Sequence, residues 1–321
     1  MLKYIVKRFV QMIVVLFVVS ILVFMLTNFI GDPVDMLVPE NATMEQVESA
    51  RARLGLDKPL PVQYAIFLKD VLHGNFGKSY TYGKPAMGLI LERMPATMEL
   101  VAIAALLVLV IAIPLGVYAG AYPKRASSKI IMSGSILGIS LPSFWVGMMM
   151  IYIFAVTLGK LPASCRGGTM GVLGVDLSIF APGGIRFIIL PAITLAITNV
   201  ATTLRLTRSG ILENMRQDYI KFARAKGVSS RTLLFGHALK NALIPVVTIF
   251  GMDLGNMIAF TTITETIFAW PGMGKLLIDA INKSDRPIIV AYLMAAACMF
   301  VVLNFVVDLL YTLIDPRIEL R

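Results

Sequence analysis

Six long apolar runs divide the chain: Val10–Ile30, Leu100–Ala121, Met132–Leu158, Phe187–Leu204, Leu243–Thr264 and Ile288–Ile314. Each approaches or exceeds the roughly 20 residues a helix needs to cross a hydrocarbon layer of about 30 Å. None alternates with the period of two that barrel strands require. The pattern predicts an all-α integral membrane protein with six transmembrane helices. Pro114, Pro142 and Gly251 interrupt three of the runs. Membrane helices accept this because neighbouring helices satisfy the released backbone groups. The first run follows Lys3, Lys7 and Arg8, as in a secretory leader. It is too long for a leader, and no small-residue cleavage pattern follows it, so it reads as a retained first helix.

Composition agrees. The chain is 57% hydrophobic and 15% charged over 321 residues, where a soluble domain carries about 25% charged residues. Mean hydropathy is +0.80. Charge then orients the helices. With the N-terminus in the cytoplasm, the cytoplasmic segments are 1–8, 122–130, 205–240 and 315–321, which hold 16 Lys and Arg against 4 acids. The outer segments 32–97, 159–186 and 265–287 hold 13 against 12. The positive-inside rule places both termini in the cytoplasm. The formal +10 is therefore membrane topology, and a nucleic-acid partner is not expected.

Catalytic and metal chemistry find little support. In "AWPGMGKLL" the Gly274–Lys275 pair lacks both the following Ser or Thr and the earlier Gly of a phosphate-binding loop. His73 and His237 fall on opposite sides of the membrane and cannot share a metal. "GIS" at Gly138–Ser140 has no membrane-embedded His or Lys to activate a serine, so it reads as small-residue helix packing. Topology separates Cys165 from Cys298, so a disulfide between them is not expected. No catalytic residue, metal site or cofactor of the chain's own is predicted.

The basic segment 205–240 is too long for a turn and too polar for lipid. Asp218 can cap a helix there and Gly227 can end it. Between them Tyr219, Phe222, Ala223 and Lys226 recur at helical spacing, giving an apolar face ringed by bases. Periodicity alone leaves two readings: a helix on anionic headgroups through Lys221, Arg224 and Lys226, or a helix that docks on a protein.

At this point the chain resembles a known family. "DYIKFARAKG", followed by Pro245, is similar to the cytoplasmic EAA loop of ABC-importer permeases in the peptide/nickel subgroup. Ala223 and Gly227 match the generic pattern; Lys221 stands where its Glu would be, and its Leu-Pro is absent. The resemblance covers the whole chain. It includes "GDP" (Gly31–Pro33), "GNFGKSY" (Gly74–Tyr80), "PATMEL" (Pro95–Leu100), "LPSFW" (Leu141–Trp145), "LRLTRS" (Leu204–Ser209), "ETIFAWPGMGKLL" (Glu265–Leu277) and "DPR" (Asp315–Arg317). It implies the B-type permease subunit of a dipeptide or oligopeptide importer in a bacterial cytoplasmic membrane. The implied partners are a homologous second permease, two cytoplasmic ATP-binding subunits that hold ATP and Mg, and an outer substrate-binding protein. Related subunits carry glutathione or nickel complexes; the absence of a membrane His favours peptides over nickel. The implied ATPase-coupling residues are Asp218, Tyr219, Phe222, Ala223, Ala225 and Gly227.

The resulting organisation is a first helix at 1–31, an outer loop with short helices at 32–97, and a permease core at 98–321 containing the coupling loop 205–240. In the outer loop, "TMEQ" (Thr43–Gln46) is a capping box, Gly55 a stop, and Val62–Leu72 an amphipathic run. This loop is either a docking surface or a lid, and segment 265–287 shares one of those roles. Trp270-Pro271-Gly272 reads as a re-entrant or interfacial turn. Two acids interrupt the membrane runs. Asp253, with Asn256 and Phe260 on its face, either lines the substrate path or makes a buried hydrogen bond. Asp308 reads as structural. The rival class, a self-sufficient channel or secondary transporter, would show matched repeats or broken half-helices, and no clear repeat is seen.

Overall fold

The computed structural model describes residues 2–29, 43–53, 56–172 and 174–314. Gly31–Pro33, Gly55, Asp315–Arg317 and the side chain of Asp308 lie outside that description. Eleven helices of eight residues or more and one hairpin follow in order among the described residues. They are α1 (Leu2–Phe29), α2 (Met44–Arg53), α3 (Leu60–Leu72), α4 (Ala86–Ala121), α5 (Ala126–Ser140), α6 (Ser143–Met150), β1 (Met170–Val172), β2 (Val175–Leu177), α7 (Gly184–Asn214), α8 (Asp218–Ala225), α9 (Leu239–Ile267), α10 (Met273–Asn282) and α11 (Arg286–Ile314). A π-helical turn, Ile151–Thr157, extends α6; Ser230–Thr232 and a π-helical Leu233–Ala238 lead into α9. Five of these helices are long and apolar enough to cross a membrane.

The third apolar run departs from expectation. It forms two helices, Ala126–Ser140 and Ser143–Thr157, bent by 106°. The break falls at Leu141, which is extended at φ −87° and ψ 130°. The cause is Pro142, whose ring excludes the helical region for the residue before it. The second run departs in the other direction. Its helix begins at Ala86, inside the segment expected to be loop. Its 36 residues reach about 54 Å at 1.5 Å per residue. That is longer than a hydrocarbon layer of about 30 Å requires, and Glu92 and Arg93 lie in the first turns of the helix.

The chain divides into two compact units. The first comprises Met1–Pro95 and Gly272–Val302, the second Ala96–Pro271 and Leu303–Arg321. In the first unit, the Thr43 N–H donates to Gln46 Oε1 at 3.0 Å and the Gln46 N–H to Thr43 Oγ1 at 3.4 Å, the expected capping box. α3 packs Tyr64 and Phe67 on Phe24 of α1, with ring centroids 5.4 and 5.6 Å away. Met273, Leu276 and Ala280 of α10 are buried with Ile90 of α4 and Ile288, Ala291 and Tyr292 of α11. Asp285, just before α11, is buried. Its carboxylate accepts from Ser79 Oγ (2.5 Å) and from the N–H groups of Tyr80 (3.2 Å) and Thr81 (3.0 Å). Three donors compensate the desolvation of one charge.

In the second unit, α4 and α7 approach through Gly116 and Gly120. A Cβ at Gly116 would stand 2.6 Å from Thr207 Cβ, and one at Gly120 2.8 Å from Ile211 Cβ. This Gly-xxx-Gly spacing is a common means of close helix packing in membranes. Gly138 packs against Ala201 of α7, in keeping with a packing role for "GIS". Trp270 is held by the protein itself. It is fully buried, and its indole N–H donates to the Ala96 carbonyl at 2.9 Å, the partner a buried indole needs.

Candidate functional site

α8 starts after Gln217 and carries Asp218 in its first turn and Arg224 in its last, both favourable with the helix dipole. Asp218 does not cap through its side chain. Its carboxylate pairs with Lys221 Nζ at 2.8 Å, and that bond holds its pKa below the usual carboxylate value. Gly227 takes φ +83°. Its N–H bonds to the Arg224 carbonyl and that of Val228 to the Ala223 carbonyl. The two bonds form a Schellman termination, which favours glycine at this position.

The faces of α8 differ from the sequence expectation. Ile220, which the periodicity argument passed over, is the buried residue. It joins Val117, Ile211, Leu233, Ala238 and Ala242 in a core against which Ala223 and Val228 also pack. The apolar periodicity thus splits. Ile220 and Ala223 hold the helix to its own unit, while Tyr219 and Phe222 remain 41% and 62% exposed. The Tyr219 hydroxyl donates to Asn214 Oδ1 and accepts from Asn241 Nδ2, both at 3.0 Å. This fixes the ring at the surface. Lys226 Nζ lies 4.5 Å from the centroid of the Phe222 ring. Ala225 is exposed beside them. The result is a rigidly seated helix that presents an aromatic pair ringed by bases.

Asp253, Asn256 and Phe260 lie on successive turns of α9. Phe260 and Asn256 are exposed and Asp253 is half-buried with Asn256 as its side-chain neighbour. Asp253 Oδ2 is buried without a hydrogen-bond partner among the described residues.

A second polar cluster escaped the sequence reading. Glu99 is buried on α4. It accepts from Arg166 Nε (3.0 Å) and Nη2 (2.5 Å) and from the Ile179 N–H (2.7 Å). Arg166 also donates to the Asp176 carbonyl at 2.6 Å. Glu265, fully buried on α9, accepts from Thr97 Oγ1 at 2.6 Å. These bonds tie the β1–β2 hairpin and the end of α9 to α4. The available clue was an acid at the margin of an apolar run, since such a group must find donors. Cys165 and Cys298 are both free and exposed.

Comparison with known proteins places this geometry. Residues 112–320 match the family model described as binding-protein-dependent transport system inner membrane component. Residues 1–101 match the model for the N-terminal part of such membrane components. The chain is 39% identical to the di/tripeptide transport system permease protein DppB of Pseudomonas aeruginosa, over 99% of each chain. It is 38% identical to the oligopeptide transport system permease protein AppB of Bacillus subtilis, over 99% of this chain and 100% of the other. The fold resembles an inward-facing form of the MetNI methionine ABC transporter, with a TM-score of 0.55 at 14% identity, covering 71% of this chain and 97% of that one. The chain belongs to the family of binding-protein-dependent transport system inner membrane components, as a multi-pass permease subunit of the ABC-importer type and not an enzyme.

Proposed function

We propose that this permease forms, with a homologous second permease, the path by which di- and oligopeptides enter a bacterial cell across its cytoplasmic membrane. ATP and Mg sit on two cytoplasmic ATP-binding subunits, and an outer substrate-binding protein delivers the peptide. The observation that carries the substrate class is the full-length similarity to permeases named for di/tripeptide and oligopeptide transport. Both termini and the 205–240 segment lie in the cytoplasm, as the charge asymmetry implies. The core runs from 98 to 321. Segment 32–97, whose last part begins α4, joins the 265–287 segment in receiving the binding protein.

α8 is the joint to an ATP-binding subunit. Phe222 and Tyr219 supply the apolar contact, Ala225 permits close approach, and Ala223 with Ile220 seats the helix. Asp218 stabilises its first turn and Gly227 sets its exit. Asp253, Asn256 and Phe260 face the substrate path. The test is uptake of labelled dipeptides by cells carrying the whole transporter, with this chain intact or deleted. Loss of uptake on deletion is expected; unchanged uptake would remove the peptide assignment. Asp253→Ala should lower uptake in a complex that still assembles. A variant that fails to assemble while any residual complex transports normally would make Asp253 structural. Orientation is read with an impermeant thiol reagent on intact Cys298→Ser cells. Native Cys165 should label, and a cysteine at Ser229 in a Cys165→Ser background should not.

A further inference from the structure

The exposed face of α7 is unlike that of its neighbour. α4 presents Leu106, Val110 and Leu115 to its surroundings, as lipid contact demands. Between Thr198 and Ser209, by contrast, every exposed position of α7 is polar: Thr198, Thr202, Arg205 and Ser209. Their spacing of four, three and four residues puts them on one helical face. Yet α7 is one of the membrane spans.

Two explanations compete with a functional one. Hydroxyls can face lipid if they bond their own helix, and the Thr202 hydroxyl does donate to the Thr198 carbonyl at 3.1 Å. Arg205 has no such option, because a guanidinium carries a full charge and five donors, more than a spare carbonyl lone pair can satisfy. A guanidinium can also reach headgroups by snorkelling. Here α7 continues nine residues past Arg205 to Asn214, about 13 Å at 1.5 Å per residue. Side chains lean toward the helix N-terminus, so in the proposed orientation Arg205, the first residue of the cytoplasmic 205–240 segment, leans back toward the membrane and away from the cytoplasm. Headgroup contact by Arg205 also gives no account of the exposed Thr198. A charged residue inside a span normally faces a bundle interior or a water-filled cavity.

A cavity is present. A space of about 600 Å³ opens between α5 and α7, bounded by Thr202, Arg205, Arg208 and Ser209 on α7 and by Ile136 and Ile139 on α5. The Nε of Arg208 is buried and has no hydrogen-bond partner among the described residues. The charges bounding this cavity are both positive, so it suits an anion. Guanidinium matches a carboxylate in planar, paired geometry.

We propose that the Thr198–Ser209 face of α7 is a wall of the water-filled path, and that Arg205, with Arg208, binds the carboxylate end of the peptide on the cytoplasmic half of that path. The choice of carboxylate rests on the peptide reading above; the water-filled wall does not.

The experiment uses the assembled transporter with Cys165→Ser and Cys298→Ser. Single cysteines are placed at Thr198, Thr202 and Ser209, and at Leu106 and Val110 for comparison. Only a thiolate, which forms where there is water, attacks a small charged thiol reagent. All three α7 positions should react at least roughly tenfold faster than the α4 pair, the scale of one unit of effective thiol pKa. Thr198 and Thr202 as slow as Leu106 would mean that protein or lipid covers the face, and would overturn the wall. Reaction at Ser209 alone would mark a headgroup-level surface and overturn it equally. In a second arm, alanyl-alanine and its C-terminal amide are added during labelling at Ser209→Cys. The free acid should slow labelling and the amide should not, and Arg205→Gln should abolish that protection. Equal protection by both, or none by either, would overturn the carboxylate assignment. Protection by the free acid in a transporter that fails the uptake test would leave the anion site standing and remove the peptide reading.

Discussion

Two short amphipathic helices, α8 and α10, have similar lengths and opposite fates. α10 encloses most of its apolar side: Met273, Leu276 and Ala280 are 1%, 5% and 3% exposed, and Ile281 in its last turn is half out. Its solvent side carries a Lys275–Asp279 pair at 2.8 Å. α8 encloses only half of its apolar side. Ile220 is buried and Phe222 is out. Burial of a large apolar side chain is worth about 1.5–3 kcal/mol, which α8 has realised within its own unit for Ile220 but not for Phe222. One helix has its central apolar residues enclosed as folded. The other keeps Phe222 exposed on a helix seated through Ile220, the arrangement the proposed joint between subunits would use.

The largest effect should come from the enclosed side. Leu276→Asp buries a charge with no partner, a cost on the order of 4 kcal/mol against a stability of about 5–15 kcal/mol. The permease should be lost from the membrane, as an immunoblot of the membrane fraction would show; wild-type levels would mean that α10 is not a core element. Phe222→Asp should behave oppositely. The side chain is exposed, so membrane levels should stay normal, while uptake should fall and ATP hydrolysis should run uncoupled or be lost. The expected loss in association is about 1.5–3 kcal/mol, one to two factors of ten. A fall in permease level that matched the fall in uptake would erase the distinction between the two helices.

Gly227→Val comes next. The position is left-handed and no heavy atom lies within 4 Å of a Cβ built there, so the cost is conformational, about 1–2 kcal/mol. It should tilt or fray α8 and weaken coupling less than Phe222→Asp, measured as ATP hydrolysed per peptide taken up. An unchanged ratio would mean that the Schellman turn does not aim the helix. Asp218→Asn should do least. Its pair with Lys221 is exposed, and such pairs contribute little. The depressed pKa has a definite sign: the pair is present at neutral pH and is lost only as pH falls through the lowered value. Retention of the ATP-binding subunit should therefore not change between about pH 8 and pH 6, and a change there would point to another titrating group.

Much of this architecture was legible in the sequence because membrane helices obey a length rule. The capping box at Thr43–Gln46 and the turn at Gly227 were legible because each is local chemistry within six residues. What escaped was tertiary. The third run looked continuous in hydropathy, and only the restriction Pro142 places on Leu141 bends it. Ile220 was hidden because two apolar faces, one turned inward and one outward, produce a single periodic pattern. Trp270 looked interfacial because the acceptor that lets it bury, the Ala96 carbonyl, lies 174 residues away. Glu99 and Arg166 meet across 67 residues. Part of the candidate coupling site was readable, since Phe222 and Gly227 act through their own exposure and backbone. The polar face of α7 emerged only once burial separated Thr198, Thr202, Arg205 and Ser209 from their apolar neighbours.

The most direct test is how much ATP-binding subunit co-purifies with the tagged permease in two variants: Phe222→Asp, and Lys221, Arg224 and Lys226 all changed to Gln. A protein joint predicts that Phe222→Asp loses most of the subunit while the triple Gln variant keeps more of it. If Phe222→Asp keeps the subunit and uptake at wild-type levels, and the triple Gln variant is the one that fails, α8 is a headgroup helix and the joint lies elsewhere.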